Sequence, residues 1–519
     1  KKMLTKLNGE EILNWVIQRL KRNKNIRIVL ATSKNPENKR LVNLAKKSKI
    51  DYFVDTLGSE DDVLGRFIRA AEFFKEKTII RVCADNPLVD PYFIDDLIKN
   101  FRNKKIDYMC NHIPNLNSEF VDGFGAEIFS LDVLRKIYKL TKKKKYLVKF
   151  ILYMRENLDK FNTKFLTPSD DQKFPSLKFD IDTKDDLQKI NTFIKTKKVN
   201  FFTSYKEIIK RYYEHVIDLY LVKLFGICRS ITGKNNRSTL KIIRELTNIN
   251  IKKIKSGKKV YDWIVPKEWH PISATLKDFK GKVLIDFKNN NIHLLNFSQP
   301  IIKTVSWDKL KNHLFTDKKV PKAIPYRTSY YKKNWGFCVN QAQFNKIKNS
   351  GNKFKVEINT NFKKGYLNYG EIILPGKSKK EILISTYICH PSMANDNLSG
   401  IMVTSLLAKH ISSMKNRKFT YRIIFIPETI GAIAYLHQNK KKLSNILYGL
   451  VVTTTGGKGE FSYKQSFDQN SEINNLVEKV FRRKKIKYKK YKFQPDGSDE
   501  RQFSSQGFKI NTCSICKDK

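Results

Sequence analysis

Long apolar runs are absent from this sequence of 519 residues. A membrane-spanning helix needs roughly 20 consecutive apolar residues, and runs such as residues 79–82 have only the length of a strand. The seven cysteines are odd in number and form no regular framework, which predicts free thiols in a reducing compartment instead of a disulfide scaffold. We therefore expect a soluble, cytoplasmic protein without a membrane span.

Acidic residues are also scarce, with 50 Asp and Glu against 101 Lys and Arg and a net charge of +51. An excess of this kind can neutralise the phosphates of a nucleic acid. The lysines, however, are scattered over both halves, as at residues 142–145 and 484–490, and accompany many Asn and Ile, which is typical of an AT-rich genome. We therefore favour solvated basic faces that attract nucleotides and acidic sugars, with nucleic-acid binding as an alternative.

The length exceeds what one hydrophobic core supports and predicts about three folding units. Hydrophobic residues make up 40% of the chain and aromatic residues 12%, which is typical of globular domains. The sequence starts at Lys1 without a signal peptide and stops at Lys519 within a strand and loop pattern. This predicts that the sequence is truncated at both ends, so the absence of a targeting signal says little about where the protein is located.

The first half alternates between amphipathic helices and short apolar strands. We predict helices at 10–21, 38–47 and 63–75, and strands at 26–31, 52–54 and 78–82. This alternation favours an α/β fold in which helices cover both faces of a parallel sheet. Ligands of such sheets bind at the carboxyl ends of the strands.

Two aspartates are candidates for a magnesium site at that edge. Asp85 follows the apolar strand in a turn that contains two prolines, and carboxylates at strand ends hold Mg²⁺ in phosphoryl and nucleotidyl transfer. Asp182 precedes Thr183 and a second acidic pair. The same residues form a good helix cap. If this segment is considered without the other motifs, we therefore favour a capping role for Asp182 over metal binding.

Several segments of this half carry a family resemblance. They are Leu7-Asn8-Gly9, Ala31-Thr32-Ser33, residues 58–66, Ala84-Asp85-Asn86-Pro87, residues 122–127 and Asp182-Thr183. In order and spacing they resemble the cytidylyltransferases of spore-coat polysaccharide biosynthesis, relatives of the enzymes that make CMP-activated octulosonate and nonulosonic acids. The segment from Gly58 to Arg66 is the most specific of them.

The resemblance implies a Rossmann-like nucleotidyltransferase domain over residues 1–213, in which a hydroxyl of an acidic sugar attacks the α-phosphate of CTP. Asp85 and Asp182 would be its Mg²⁺ ligands, and Lys2 the lysine of a phosphate-cradling loop whose other residues precede residue 1. Arg66 would contact substrate phosphate or carboxylate, with a surface salt bridge as the alternative. Lys1 in place of a glycine, and residues 146–149, depart from the family.

The second half begins where the alternation stops, near residue 214. A helix is predicted at 217–225, and short strands with turn signals dominate the region that follows. We predict a small inserted β domain at 256–315 within a larger domain formed by residues 214–255 and 316–519.

A candidate metal site lies in this larger domain. His390 ends an apolar strand, and Asp396 precedes a helix that starts with small residues. Imidazole and carboxylate are natural zinc ligands, although a single histidine after a strand is more often structural. Glu428 ends a second apolar strand, where it could act as general base or merely face solvent. Asp499 stands in a later acidic turn.

These motifs, together with residues 262–266 and 324–331, resemble a bacterial aminopeptidase-like family with an inserted β domain. The resemblance implies that His390 and Asp396 are zinc ligands, that Glu428 is the general base and that Asp499 is a weaker candidate ligand. Thr429 stands where the superfamily has a ligand glutamate, and the strand at 449–455 lacks the aspartate that usually follows. A further ligand histidine is expected beyond Cys516. One zinc site is therefore predicted in place of two.

The sequence thus predicts a bifunctional surface-polysaccharide protein that combines nucleotidyl transfer from CTP to an acidic sugar with metal-dependent hydrolysis of an amide or peptide. The expected cofactors are Mg²⁺ in the first half and Zn²⁺ in the second. The expected partners are CTP, the sugar and a small amide or peptide, and no specific nucleic acid. Formation of an oligomer is compatible with the sequence. A catalytically depleted binding or scaffolding protein of the same pathway is the alternative.

Overall fold

The structure is a computed structural model that describes residues 2–102, 105–111 and 119–517. The chain divides into two compact units: the first comprises Lys1–Val216 with Ser413–Lys415, and the second Ile217–Ser412 with Asn416–Lys519. None of the helices in the described ranges combines the length and the apolar character that a membrane crossing requires.

The first unit contains eight strands and eight complete helices within the described residues. The strands are β1 Lys6–Leu7, β2 Glu10–Glu11, β3 Val29–Ser33, β4 Asp51–Asp55, β5 Thr78–Arg81, β6 Tyr108–Cys110, β7 Glu127–Ser130 and β8 Thr163–Phe165. The helices are α1 Ile12–Leu20, α2 Lys39–Lys47, α3 Val63–Phe73, α4 Pro91–Phe101, α5 Leu131–Leu140, α6 Lys144–Val148, α7 Phe150–Glu156 and α8 Lys184–Thr196.

Local sequence signals explain where several of these helices begin. The Asp62 carboxylate accepts a hydrogen bond from the Gly65 N–H at the start of α3. Asp90 caps α4, whose first residue is Pro91; proline suits this position because its missing N–H would have no helical partner there. Thr183 caps α8 in a capping box with Asp186.

The strands of the first unit form two main sheets. β3 pairs in parallel with β4, and a separate four-stranded sheet has the order β5-β7-β6-β8. β7 runs antiparallel to both β5 and β6, whereas β6 and β8 are parallel. The prediction of a parallel sheet was therefore wrong for β7, which pairs directly with the strand that precedes it in the chain; an antiparallel pair needs no crossover helix.

Helix α9 Tyr205–Phe225 contains the division between the units. The sequence predicts a separate helix that begins at Ile217, but the helix is continuous. No glycine or proline interrupts residues 205–225, so nothing in this segment breaks the backbone hydrogen bonds of the helix.

The second unit holds the remaining elements. Its helices are α10 Lys234–Leu246, α11 Trp307–Leu310, α12 Gln341–Lys348, α13 Gly400–Ser413, α14 Ile430–Asn439, α15 Glu472–Arg483 and α16 Glu500–Phe503. Its strands are β9 Asn250–Lys255, β10 Lys259–Val260, β11 Trp263–Ile264, β12 Glu268–Asp278, β13 Val283–Asp286, β14 Ile301–Ser306, β15 Leu314–Phe315, β16 Phe337–Cys338, β17 Lys353–Lys363, β18 Tyr366–Leu374, β19 Ser378–Tyr387, β20 Phe419–Ile426, β21 Ile446–Val452, β22 Phe461–Lys464, β23 Tyr488–Tyr491 and β24 Thr512–Lys517.

A mixed eight-stranded sheet, in the order β23-β22-β24-β21-β19-β20-β18-β9, forms the centre of this unit. β19 is parallel to β20 and β21, and β21 is parallel to β24. The middle of β20 is fully buried, as expected for a strand whose two faces are both covered. The carboxyl ends of β19, β20 and β21 therefore meet at one edge of the sheet.

A second sheet of the same unit has the order β13-β12-β17-β14, and three of its strands, β12, β13 and β14, lie within the range 256–315 predicted for an inserted β domain. Its strand β17 lies beyond residue 315, the end predicted for that domain. β17 pairs along its length with β12, and its side chains are alternately exposed and buried over residues 353–360. This long-range pairing draws residues 353–363 into the small sheet.

Candidate functional site

The first site lies at the carboxyl end of β5, where the predicted aspartates meet. The Ile181 N–H donates a hydrogen bond of 2.9 Å to the Asp85 carbonyl, which fixes the two segments side by side. Lys2 Nζ lies 3.0 Å from Asp85 Oδ2 and 3.6 Å from Asp182 Oδ1. The structure thus brings together three residues that are far apart in the sequence.

Asp182 does not cap the following helix. The N-cap of α8 is Thr183, whose hydroxyl accepts the Asp186 N–H. The Asp182 carboxylate instead accepts a hydrogen bond of 2.9 Å from Lys178 Nζ, and this bond lowers the pKa of Asp182. The carboxylate therefore lies at the acidic edge, where Lys178 and Lys2 both contact it.

Lys178 and Asp180 were not among the predicted site residues. Lys178 Nζ lies 3.3 Å from Asp180 Oδ2, while Asp180 Oδ1 is buried without a hydrogen-bond partner in the described structure. Burial and the charge of Asp122 raise the pKa of Asp180 to about 7. The sequence Asp180-Ile181-Asp182 could have indicated that Asp180 lies near Asp182, since residues two apart in extended backbone share a face.

The donor set at this edge suits a divalent cation. Burial by itself lowers the pKa of Lys2, but the hydrogen bond with Asp85 and the charges of Asp85 and Asp182 outweigh it and raise this pKa. An ammonium group bound between two carboxylates marks a position that stabilises positive charge. Carboxylate oxygens are also the protein ligands that Mg²⁺ prefers.

The polar contacts described for Arg66 join it to its own motif and to Asp55 at the end of β4. Arg66 Nη2 donates to the carbonyls of Ser59 and Glu60, at 3.4 and 2.8 Å, and Nε lies 4.0 Å from Asp55 Oδ2. Asp55 in turn accepts two hydrogen bonds from Arg69. Each of these contacts is made within the protein, so substrate binding by Arg66 stays a prediction.

The second site lies where β19 and β20 end. His390 Nε2 is 3.5 Å from Glu428 Oε2, and the Glu428 N–H donates to Cys389 Sγ at 3.2 Å. Ligand atoms of Cys389, His390 and Glu428 all lie within 4.8 Å of one another, the one such metal-compatible group in the described residues. Sequence reasoning missed Cys389, which was visible as the residue before His390.

Asp396 and Asp499, two of the predicted ligands, are not members of this group, although their charges act on the Cys389 thiol. Asp396 Oδ1 accepts a hydrogen bond of 2.5 Å from the Tyr387 hydroxyl. Asp499 Oδ1 accepts the Thr429 N–H at 2.6 Å, while its Oδ2 is buried without a hydrogen-bond partner among the described residues. Such an oxygen carries a desolvation penalty that a bound cation would remove.

Burial dominates the electrostatics of the second site. It raises the pKa of Glu428 to about 7, with the charge of Asp396 acting in the same direction. It also raises the pKa of Asp499 and of the Cys389 thiol well above their ordinary values, and lowers the pKa of His390. A neutral imidazole with buried oxygen and sulfur donors is a set that suits zinc.

Two neighbours of His390 further define this site. Arg229 is 1% exposed, and its Nε donates to the His390 carbonyl at 2.6 Å. Thr429, at which the resemblance implies a glutamate, offers its backbone N–H to Asp499 and has a positive φ of 58°. A threonine side chain supplies no carboxylate to this site.

Fold and sites together define a two-part protein, in which a cytidylyltransferase-like unit precedes an aminopeptidase-like α/β unit. A family model described as cytidylyltransferase matches residues 1–225, and a model described as a domain of unknown function (DUF4910) matches residues 219–519. Since the second match covers more than half of its length, the chain belongs to the DUF4910 family. Both resemblances predicted from the sequence are confirmed.

Individual relatives agree with this division. The chain is 45% identical over 295 residues, 57% of its length and 67% of the relative's, to a Clostridium acetobutylicum protein whose name describes polysaccharide biosynthesis and an aminopeptidase-like domain. It is 31% identical over 134 residues, 26% of its length and 53% of the relative's, to the Bacillus subtilis spore coat polysaccharide biosynthesis protein SpsF. A Clostridium acetobutylicum crystal structure described as a peptidase matches with a TM-score of 0.57 and 41% identity, over 64% of this chain and 75% of that one.

Proposed function

We propose that this protein acts in the biosynthesis of a surface polysaccharide, as the names of its relatives from Clostridium acetobutylicum and Bacillus subtilis suggest. Its first unit would transfer a cytidylyl group from CTP to an acidic sugar. Its second unit would hydrolyse an amide or peptide bond of a related metabolite. The convergence of Lys2, Asp85 and Asp182 supports the first activity, and the group around His390 supports the second.

In the first unit, Asp85 and Asp182 would hold Mg²⁺, which neutralises negative charge on the phosphates of the nucleotide. Lys2 lies between the same two carboxylates and would bind a phosphate oxygen once the cation takes its place. The sugar hydroxyl would then attack the α-phosphorus, and pyrophosphate would leave. Arg66 would contribute to substrate binding beside these residues.

In the second unit, His390, Asp396 and Asp499 would hold Zn²⁺, which polarises the scissile carbonyl as a Lewis acid. Glu428 would take a proton from the attacking water and return it to the leaving amine. A carboxyl group whose pKa is about 7 is suited to this exchange near neutral pH. Arg229 would fix the backbone of His390 through its hydrogen bond to the carbonyl.

Replacement of Asp85 by alanine tests the first activity. We expect pyrophosphate release from CTP, measured with a panel of sugar acids and Mg²⁺, to fall by about 100-fold or more, because one of two cation ligands is lost. The matched control is Asp132→Ala on α5, where the carboxylate is 90% exposed. Equal rates of pyrophosphate release by the wild-type protein and by Asp85→Ala would contradict the proposal.

Metal analysis tests the second activity. We expect about one equivalent of zinc per chain after dialysis, and an affinity at least about 100-fold weaker in His390→Ala, since even the loss of a group that only supports a ligand costs about 10- to 100-fold. His437→Ala, on a histidine that packs against Tyr261, is the control. If neither protein contains zinc, the result would favour the second candidate function, a binding protein without hydrolytic activity. Thr429, at which the resemblance implies a ligand glutamate, favours the same candidate.

A further inference from the structure

Cys389 lies within the second site but has no role in the activity proposed for it. It is one of seven free cysteines and is 2% exposed. Its Sγ accepts a hydrogen bond of 3.2 Å from the Glu428 N–H and lies 3.5 Å from His390 Nδ1. Of the seven cysteines, all within the described ranges, Cys389 alone belongs to a group of donors that could hold a metal ion. A cysteine that only fills an apolar core would not need such polar neighbours.

The pairing of β19 with β20 fixes these neighbours. The two strands are parallel, and the Ile388 N–H donates a hydrogen bond of 2.8 Å to the Ile426 carbonyl where they end. The two segments therefore stay side by side beyond the strands, which places Cys389 and His390 next to Glu428. This juxtaposition follows from the geometry of the sheet.

The spacing of the three donors is compatible with one zinc ion. Zinc bonds of about 2.3 Å to sulfur and about 2.0–2.2 Å to nitrogen or oxygen put two ligand atoms of a tetrahedral ion about 3.3–3.7 Å apart. The imidazole of His390 lies between the other two donors, 3.5 Å from Cys389 Sγ and 3.5 Å from Glu428 Oε2. Ligand atoms of all three residues lie within 4.8 Å of one another, so small side-chain rotations would gather them around one ion.

The site is also short of free oxygen donors. Thr429 supplies no carboxylate. One oxygen of Asp396 accepts the Tyr387 hydroxyl at 2.5 Å, and one oxygen of Asp499 accepts the Thr429 N–H at 2.6 Å. A catalytic zinc ion usually has three protein ligands. The sulfur of Cys389 would supply one where these bonds and this threonine leave too few oxygens.

We propose that Cys389 Sγ is a zinc ligand of the second unit, in a mixed set of sulfur, nitrogen and oxygen donors that includes His390. The ion would bind the thiolate, and the thiol proton would pass to the solvent. The Glu428 N–H would stabilise the negative sulfur, as outer hydrogen bonds do for the ligands of other metal sites. The proposal rests on the zinc site proposed above for this unit, but not on its hydrolytic activity.

Cobalt spectroscopy tests the sulfur ligand without an assay of hydrolysis. Co²⁺ takes the place of Zn²⁺ in tetrahedral sites, and a sulfur ligand adds an intense charge-transfer band in the near ultraviolet. We expect the full chain with one equivalent of Co²⁺ to show this band, and Cys389→Ser to lose it. Cys338→Ser, at a fully buried cysteine of β16 outside the group, should keep the band.

His390→Ala identifies the site that holds the ion. Cobalt whose binding is lost in His390→Ala but which gives no near-ultraviolet band would overturn the sulfur ligand and leave the proposed metal site intact. A band that persists in Cys389→Ser would overturn it as well. A chain that binds no cobalt would contradict the metal site itself, and the sulfur ligand with it. The band in a protein without peptidase activity would support the ligand and contradict only the proposed hydrolysis.

Metal competition separates ligation from a structural role of Cys389. Serine has a similar size but offers a hard oxygen, whereas a thiolate prefers Zn²⁺ and Cd²⁺ to Mn²⁺. We expect Cys389→Ser to weaken Cd²⁺ binding by about 100-fold or more and Mn²⁺ binding by less than about threefold. Equal losses for the two metals would show that the substitution only disturbs the structure, and would overturn the proposal. If Cys389→Ser fails to fold, the cobalt spectra of the unchanged chain and of His390→Ala still decide.

Discussion

Replacement of Arg422 by alanine is expected to destabilise the second unit by about 3–5 kcal/mol, the usual cost of removing one partner from a buried ion pair. Arg422 lies on β20 and is 3% exposed. Its guanidinium binds Glu381 through two hydrogen bonds and Glu371 at 2.8 Å. The substitution would leave two buried carboxylates without their cation at the centre of the large sheet.

The measurement is the urea midpoint of unfolding, followed by hydrogen exchange in β19 and β20 so that the second unit is observed separately. Arg482→Ala, an exposed arginine of α15, should change the stability by less than about 0.5 kcal/mol. Combining Arg422→Ala with Glu381→Ala should cost less than the sum of the single changes. Additive costs would show that the pair contributes no interaction energy.

Replacement of Arg19 by alanine should destabilise the first unit by a similar amount, about 3–5 kcal/mol. Arg19 is fully buried, and its Nη2 lies 2.8 Å from Asp90 Oδ2. The same guanidinium donates to the carbonyls of Val89 and Thr203, at 2.7 and 2.9 Å. One side chain of α1 thus holds the segments that precede α4 and α9.

Hydrogen exchange in β6 and β7 would report this loss, because these strands belong to the first unit. The control is Arg40→Ala, on an exposed position of α2. An Asp90→Asn variant separates charge from packing, since it keeps the shape of the cap and removes the ion pair. A loss below 1 kcal/mol in Arg19→Ala would contradict a role for Arg19 in stability.

Local sequence patterns could predict where the main residues of the candidate sites lie, but not all of the contacts they make. Asp85, His390 and Glu428 each follow an apolar strand, and strands of parallel pairs end at a common edge. That pattern was sufficient to predict that His390 and Glu428 would meet. It could not show that the Asp396 carboxylate accepts a hydrogen bond from Tyr387 while Cys389 Sγ lies beside Glu428, since these contacts depend on loop geometry.

Strand pairing between segments that are far apart in the chain could not be predicted from sequence patterns. The sequence did not indicate that β17 pairs with β12, since the paired residues are between 76 (Asp278 and Phe354) and 95 (Glu268 and Lys363) positions apart. The reversed direction of β7 was missed for the same reason. Strand pairing is decided by which edges the remaining chain leaves open, and periodicity within one segment carries no information about that choice.

The amino-acid sequence by itself determined the two families, the alternation of helices and strands, and the strand ends at which Asp85, His390 and Glu428 stand. These properties follow from local spacing and from motifs. Only the tertiary structure decided that Lys2 lies between Asp85 and Asp182, and that Asp499 has a buried oxygen without a hydrogen-bond partner among the described residues. Each of these features depends on segments that meet through folding, because burial and pairing are properties of the packed chain.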